Sequence, residues 1–142
     1  MNAAQEKTQS NQLIVWELAN DVATVLTGAL NTEEFQGNPS LRDLILRTVI
    51  SIPAELAEGD QHNQPIGLSI KHFYRAKYAV SELRSQLKIA RDLRLLEGVT
   101  YEAVDPEYSR LSRMIYNLIR GRLRIYRSRK RGSTLVEDKP KE

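Results

Sequence analysis

At 142 residues, with 41% hydrophobic and 27% charged side chains, the chain has the composition of one globular domain rather than of a disordered segment. It contains no cysteine, which excludes disulfide bonds, thiolate metal sites and cysteine nucleophiles. No apolar run approaches the roughly 20 residues that span a bilayer, and the chain starts without an apolar signal core, so we expect a cytoplasmic protein without membrane segments.

Charge is distributed unevenly along the chain, beneath a formal net charge of +3. Residues 1–60 contain three basic and nine acidic side chains, whereas residues 105–142 contain eleven basic and five acidic ones. Such polarity favours either a polyanionic partner or ion pairing between the two ends of the chain. The sequence leaves both interpretations open.

The chain begins with a polar stretch, residues 1–10, which we expect to be flexible. A first helix is predicted from Asn11 to Leu30, followed by a loop over residues 31–38. Trp16 lies off the predicted core stripe, so we expect it to pack on a neighbouring helix or at a subunit contact. The predicted stripe consists of Ile14, Leu18, Val22, Val25 and Ala29.

A second helix is predicted to start at Ser40-Leu-Arg-Asp43, which resembles a capping box, and to end at Gly59. Pro53 lies inside this helix and is expected to kink it, because proline lacks an amide hydrogen. Apolar residues follow two stripes, so the second stripe either packs on a neighbour or forms an oligomer contact. The first stripe contains Leu41, Leu44, Ile45, Thr48, Ile52 and Leu56, and the second contains Leu46, Ile50 and Ala57.

Two further helices are predicted, from Pro65 to about Glu97 and from Asp105 to Arg131. Gly98 is the expected stop of the third helix, and Asp105 the expected cap of the fourth. Residues 132–142 are expected to be disordered. Four helices with short connections and no strand pattern predict an all-α fold, an antiparallel up-down four-helix bundle over residues 11–131. The expected core residues of the third helix are Ala76, Ala79, Val80, Leu83, Leu87, Ala90 and Leu93, and those of the fourth are Leu111, Met114, Ile115, Leu118, Ile119, Ile125 and Tyr126.

Basic side chains form a stripe on each of the last two predicted helices, and each stripe spans about 60° of the helix circumference. Arginine binds phosphate through a bidentate fork, and Tyr116 beside the second stripe could stack on an unpaired base. The pattern therefore favours nucleic-acid binding, whereas a solvated face or pairing with the acidic first half is the alternative. The stripes are Lys77, Arg84, Lys88 and Arg91 on the third helix, and Arg113, Arg120, Arg124, Arg127 and Arg131 on the fourth.

The remaining polar residues show no catalytic pattern. His62 and His72 lack a metal-binding spacing, and Glu55 with Glu58 is weak evidence for acid–base chemistry. No nucleophile elbow and no glycine-rich phosphate loop occurs in the sequence. We therefore predict a protein without enzymatic activity, cofactor or metal.

The segment Ser51-Ile-Pro-Ala-Glu-Leu-Ala-Glu-Gly59 resembles the Ser-Ile-Pro-x-x-x-Ala-Glu-Gly signature of the small four-helix-bundle proteins of the 23S ribosomal RNA intervening-sequence type. The runs 15–19 and 79–90 are similar to the first and third helices of that family. The resemblance implies a homo-oligomeric ring, commonly a pentamer. A related branch consists of the accessory variability determinants of diversity-generating retroelements, which form a basic barrel that binds nucleic acid and a reverse transcriptase. The resemblance implies that this chain could act in a similar way. The loop from Asp60 to Gln64 departs from the basic, serine-rich segment of relatives.

Three hypotheses about function follow. The leading one is a non-enzymatic, homo-oligomeric accessory protein that binds RNA or DNA through its two basic stripes and Tyr116. The alternative is a protein-interaction module whose basic face docks an acidic partner such as a reverse transcriptase, and a third is a purely structural bundle. The predicted oligomer interface consists of Trp16, Leu46, Ile50 and Pro53.

Overall fold

The computed structural model describes the backbone of residues 3–137, and the side chains of residue 3 and of residues 11–132. Every regular element in this range is a helix, and no strand occurs in it. The all-α class is therefore confirmed. The helices are α1 (Ala3–Ala29), α2 (Glu33–Gln36), α3 (Pro39–Gly59), α4 (Ile66–Asp92) and α5 (Gly98–Glu137).

The four long helices share one core. α3 packs against α4, α4 against α5, and α1 against both α3 and α5, while the short α2 packs on α3. All four long helices contribute apolar side chains that are almost completely buried, and burial of these side chains is the main stabilising term. Within residues 3–137, no helix combines the length and hydropathy that a membrane crossing requires.

The stripe of α1 that faces the core differs from the predicted one. Val15, Ala19 and Leu26 are buried, whereas Ile14 and Val25 are 47% and 59% exposed. Val22 is the only member of the predicted stripe that is also buried in the structure. The reason is that α1 carries apolar residues on two adjacent stripes, and packing against α3 and α5 selects between them. α1 also begins at Ala3, inside the stretch expected to be flexible, and residues 1–2 lie outside the described range.

The predicted loop over residues 31–38 contains the short helix α2. Phe35 is fully buried and anchors this turn to the core, which the polar residues around it do not reveal. α3 then starts at Pro39 as its first residue, with Asn38 in the capping position and without a side-chain cap bond. The predicted capping box at Ser40 is therefore wrong, although the predicted end at Gly59 is confirmed.

α4 ends at Asp92, earlier than predicted, and Leu93 is 60% exposed. In α3 the predicted core residue Leu44 is 45% exposed, and Val49 is buried instead. The remaining core of α4 agrees with its predicted stripe, which continues backwards to Phe73. The stripe of α4 is thus confirmed up to its C-terminal end, whereas the α3 stripe is confirmed at Ile45, Thr48, Ile52 and Leu56 and wrong at Leu44.

α5 is one helix from Gly98 to Glu137, so the predicted loop before Asp105 is wrong. The helix continues through Pro106, although proline in a helix interior costs about 3 kcal/mol. Burial of Val104, Tyr108 and Leu111 along one stripe offsets this cost. α5 also continues past the predicted break at residue 132, and residues 138–142 lie outside the described range.

Residues 51–59 form the second half of α3, at its junction with α4. Glu55 Oε2 lies 2.7 Å from His72 Nδ1, which ties the two helices together. The Gln64 side-chain amide donates to the carbonyl oxygens of Glu58 and Gly59 at 2.8 and 3.2 Å. It thereby provides hydrogen-bond donors for carbonyl groups that have no partner within the last turn of α3. These residues stabilise the turn that orients α4.

Candidate nucleic-acid interface

The strongest cationic feature is the α5 arginine stripe, defined as Arg113, Arg120, Arg124, Arg127 and Arg131. All five side chains are exposed, because their spacing places them on the side of α5 that faces away from the core. Among the carboxylates that the structure describes, none forms an ion pair with any of them. The stripe is therefore open to solvent and uncompensated within the described part of the chain.

The α4 basic stripe, defined as Lys77, Arg84, Lys88 and Arg91, is different, because two of its members already bind carboxylates. Arg84 forms a bidentate pair with Asp105 of α5, at 2.9 and 3.2 Å. This hydrogen bonding raises the pKa of Arg84 above its ordinary value, against the opposing effect of burial. Arg84 therefore fixes α4 against α5, and its charge is largely neutralised.

Arg91 is engaged twice. Its Nη2 donates to Asp92 at 2.9 Å, and its guanidinium lies 4.4 Å from the ring centroid of Tyr101. The hydrogen bond to Asp92 raises the pKa of Arg91. These carboxylates belong to α4 and α5. Among the described residues, neither stripe therefore pairs with the acidic first half of the chain, which is one of the two interpretations that the sequence leaves open.

Both stripes contribute to a shallow depression between α4 and α5. Lys77 of α4 and Arg113 of α5 line it together with Tyr116, which is 46% exposed. The guanidinium of Arg120 lies 5.9 Å from the Tyr116 ring centroid. Tyr116 is thus beside the stripe, as the sequence predicts.

Arg122 was not among the predicted residues, yet it occupies the centre of a polar junction. The amide of Gln12, only 6% exposed, bridges it to Asp60 when its nitrogen faces the carboxylate and its oxygen faces the guanidinium. Burial lowers the pKa of Arg122 and raises the pKa of Asp60, and their mutual attraction opposes both shifts. Arg122 follows Ile119 by three residues on the core stripe of α5, and an arginine at a core position was the available signal.

The end of α5 carries further cations that the two predicted stripes omit. Every described side chain from Arg124 to Gly132 is exposed, including those of Arg129 and Lys130. The Lys130 ammonium lies 5.9 Å from the Tyr126 ring centroid. Ile125 and Tyr126, predicted as core residues, are 37% and 39% exposed, so the helix has left the core here. Positive charge therefore extends around more than one side of this segment.

The predicted oligomer interface, called the apolar face below, consists of Trp16, Leu46, Ile50 and Pro53. Trp16 is 38% and Ile50 56% exposed, whereas Leu46 and Pro53 are half-buried and Leu46 packs on the core. Two contacts show that α1 and α3 run alongside each other. Gln12 contacts Asp60 at one end, and Arg42 donates to the Leu30 carbonyl oxygen at the other. Trp16 lines a depression of about 360 Å³ that also includes Leu56 and Ala57 of α3.

Two of the residues with acid–base potential connect α3 to α4. His72 and Glu55 bind each other across the α3–α4 contact, where their side chains are 14% and 26% exposed. His62 lies in the connection after α3 and is exposed. Among the described residues, no group of three or more metal-ligating side chains of the His, Cys, Asp or Glu type occurs.

These features define a class: an all-helical protein whose longest helix carries an uncompensated arginine stripe. The family model described as 23S rRNA-intervening sequence protein matches residues 11–117, and the chain belongs to that family. Among curated proteins, none matches the sequence. The matched region ends before Arg120, so most of the α5 arginine stripe lies beyond it.

Proposed function

We propose that this chain is a cytoplasmic, non-enzymatic accessory protein that binds RNA or DNA through the basic surface of α4 and α5 and acts as a homo-oligomer. The observation that carries the proposal is the α5 arginine stripe, with five exposed guanidinium groups and no described carboxylate partner. Close like charges repel, so a polyanion that neutralises them binds favourably.

The proposal takes the four long helices as an antiparallel up-down bundle. Each helix contacts two others in the cycle α1–α3–α4–α5, which supports this arrangement. The contacts of Arg42 with Leu30, Glu55 with His72, and Arg84 with Asp105 each join the end of one helix to the start of the next, as antiparallel neighbours require. The pair α4 and α5 then forms the side opposite to α1 and α3.

In this mechanism the five arginines follow the phosphates of one strand, and Lys77 and Lys88 extend the contact to α4. Arg84 contributes mainly to holding α4 against α5, since Asp105 already binds two of its three guanidinium nitrogens, Nε and Nη2. Arginine suits phosphate because its planar fork donates two hydrogen bonds at once.

The salt dependence of binding tests the proposal. If five phosphates are neutralised per subunit, the slope of log affinity against log salt for a single strand is about −3.5. Fluorescence anisotropy of labelled RNA and DNA oligonucleotides, titrated at several salt concentrations, measures this slope. A slope near zero contradicts the phosphate mechanism.

Charge reversal supplies the specific test. The double variant Arg120→Glu and Arg124→Glu should abolish nucleic-acid binding, because it removes two stripe arginines and repels phosphate. The matched control is Lys71→Glu with Arg75→Glu, which changes the net charge equally at exposed positions of α4 outside both stripes. Equal loss in both variants indicates a general charge effect, and no binding by the unmodified protein favours an acidic protein partner instead.

The apolar face supports the oligomeric part of the proposal. Trp16 and Ile50 leave large apolar areas in water, and a second copy of the chain would cover them. The family resemblance implies a ring of five subunits. Because α1 and α3 lie opposite α4 and α5 in the proposed bundle, assembly through this face leaves the basic surface open.

A further inference from the structure

The depression between α4 and α5 has a volume of about 450 Å³ and opens to solvent beside the start of the α5 arginine stripe. It is lined by Lys77 of α4 and by Ser112, Arg113, Tyr116 and Asn117 of α5. Two cations, one aromatic ring and two neutral hydrogen-bonding groups therefore converge from two helices. Phosphate binding alone requires only the cations.

We propose that this depression binds one unpaired nucleotide, so that the preferred ligand of the basic surface is single-stranded RNA or DNA rather than a duplex. This inference rests on the proposed function, which it makes more specific. The nucleotide's base stacks on Tyr116, and its phosphate contacts Lys77 and Arg113.

Tyr116 carries the distinction between single strands and duplexes. Its ring is 46% exposed, although it belongs to a helix whose opposite side is buried. Base stacking on an aromatic ring needs a base whose face is free, and inside a duplex both faces are covered by neighbouring base pairs. The Arg120 guanidinium, 5.9 Å from the ring centroid, places a phosphate-binding cation next to the stacked base.

The cations of the depression have hydrogen-bonding capacity to spare. Arg113 donates from Nη1 to Ser109 Oγ at 3.1 Å, which leaves its remaining N–H groups for a phosphate. Lys77 approaches from the other helix, and none of the described carboxylates pairs with either residue. A phosphate between α4 and α5 would thus receive hydrogen bonds from both.

The neutral groups complete a nucleotide site. The Ser112 hydroxyl and the Asn117 amide each offer a donor and an acceptor, as the edges of unpaired bases and the sugar hydroxyls require. Among the described residues, no side chain forms a hydrogen bond with the side chain of Ser112 or Asn117. The site is built for a base and its backbone together.

The test compares labelled single strands of about 15 nucleotides, RNA and DNA separately, with the same strands annealed to complements. Tyr116→Ala should weaken single-strand binding by about fivefold or more, the lower end of base–aromatic stacking energies, and should leave duplex binding unchanged. Tyr116→Phe should bind like the unmodified protein, because it keeps the ring. Circular dichroism checks that both variants are folded.

Tyr78→Ala is the matched control, since Tyr78 is 65% exposed on α4 but does not line the depression. It should leave both affinities unchanged. Equal effects of Tyr116→Ala on strands and duplexes, no effect at all, or a loss in Tyr116→Phe would each overturn the nucleotide site while the proposed function stands. Failure of the unmodified protein to bind any of these probes overturns both.

Discussion

Gly59 shows how a single residue determines a helix contact. A Cβ atom at this position would lie 2.5 Å from Cε1 of Phe73, a distance that side chains do not tolerate. Phe73 is 1% exposed and surrounded by the core, so its ring has no room to move. The end of the 51–59 segment is therefore glycine for reasons of packing between α3 and α4, not for backbone freedom.

Gly59→Ala is accordingly expected to destabilise the protein by about 1–3 kcal/mol, the usual cost of overpacking a filled core. Gly121→Ala is the control, because nothing lies within 4 Å of an added Cβ there. That substitution in a helix interior should stabilise by about 0.5–1 kcal/mol. Urea unfolding followed by circular dichroism measures both, and equal signs for the two variants would contradict the packing argument.

Tyr108 presents the opposite situation, a polar atom without a partner. Its side chain is 1% exposed, and its hydroxyl has no hydrogen bond within the described structure. Burial raises the pKa of Tyr108 above its ordinary value of about 10. Replacing it with phenylalanine removes an unsatisfied buried group, so Tyr108→Phe should be neutral or stabilising by about 1 kcal/mol.

The same residue predicts a dependence on alkaline pH. Burial raises the pKa of Tyr108 in the folded protein, so the phenol stays neutral there at pH values where it ionises in the unfolded chain. The contribution of Tyr108 to stability is therefore complete below pH 10 and is lost above pH 10, as the phenol of the unfolded chain ionises. Between pH 8 and pH 11, the free energy of unfolding of the unmodified protein should fall by about 1.4 kcal/mol relative to that of Tyr108→Phe. Unfolding free energies of both proteins at the two pH values measure this. A constant difference would mean that the phenol ionises equally in both states.

At the scale of elements, the sequence predicts helices well where one apolar stripe dominates. The stripe from Ala76 to Ala90 in α4 is such a case. In α1, two stripes compete, and only contacts with α3 and α5 decide that Val15 rather than Ile14 is buried. Local signals fail in α5 as well, since long-range packing carries the helix through Pro106.

The candidate site was predictable to a similar extent. Helical spacing alone brings the α5 arginine stripe together, because its residues lie on one element. Sequence reasoning could not foresee that Arg84 binds Asp105, since this pair depends on the register of α4 against α5 and on α5 being helical at Asp105. Nor could it join Arg122 to Asp60 and Gln12, which come from three different elements.

The pair Arg84–Asp105 is expected to stabilise the contact of α4 with α5. A double-mutant cycle with alanine at both positions should give a coupling free energy of about 1 kcal/mol, high for a partly exposed pair because the contact is bidentate. Arg84→Lys should recover only part of it, since an ammonium cannot reproduce the fork.

Arg110 with Glu107 provides the comparison for this cycle. The two lie 3.7 Å apart on the surface of α5, with side chains 56% and 42% exposed. Their coupling should stay below about 0.5 kcal/mol. Equal coupling in both cycles would show that Arg84 behaves as an ordinary surface charge and would return it to the set of free phosphate ligands.

At the scale of the whole molecule, two surfaces of different chemistry lie on different helix pairs. The apolar face lies on α1 and α3, whereas the α4 basic stripe and the α5 arginine stripe lie on α4 and α5. Assembly and nucleic-acid binding would therefore use separate surfaces, and each can be impaired without the other. A structural bundle whose subunits are held together by charge would instead use the basic surface as a subunit contact.

Ile50→Lys tests the apolar assembly, because it places a charge at the most exposed position of that face. We expect the proposed oligomer, measured by light scattering, to dissociate in this variant towards the monomer mass of 16.2 kDa while helicity is retained. Val25→Lys is the matched control, since Val25 is 59% exposed on α1 and lies off the apolar face. Raising the salt concentration should leave the unmodified oligomer intact, because salt screens ion pairs and not apolar contacts. Dissociation at high salt, with Ile50→Lys still assembled, would instead assign the subunit contact to ion pairs between basic and acidic surfaces.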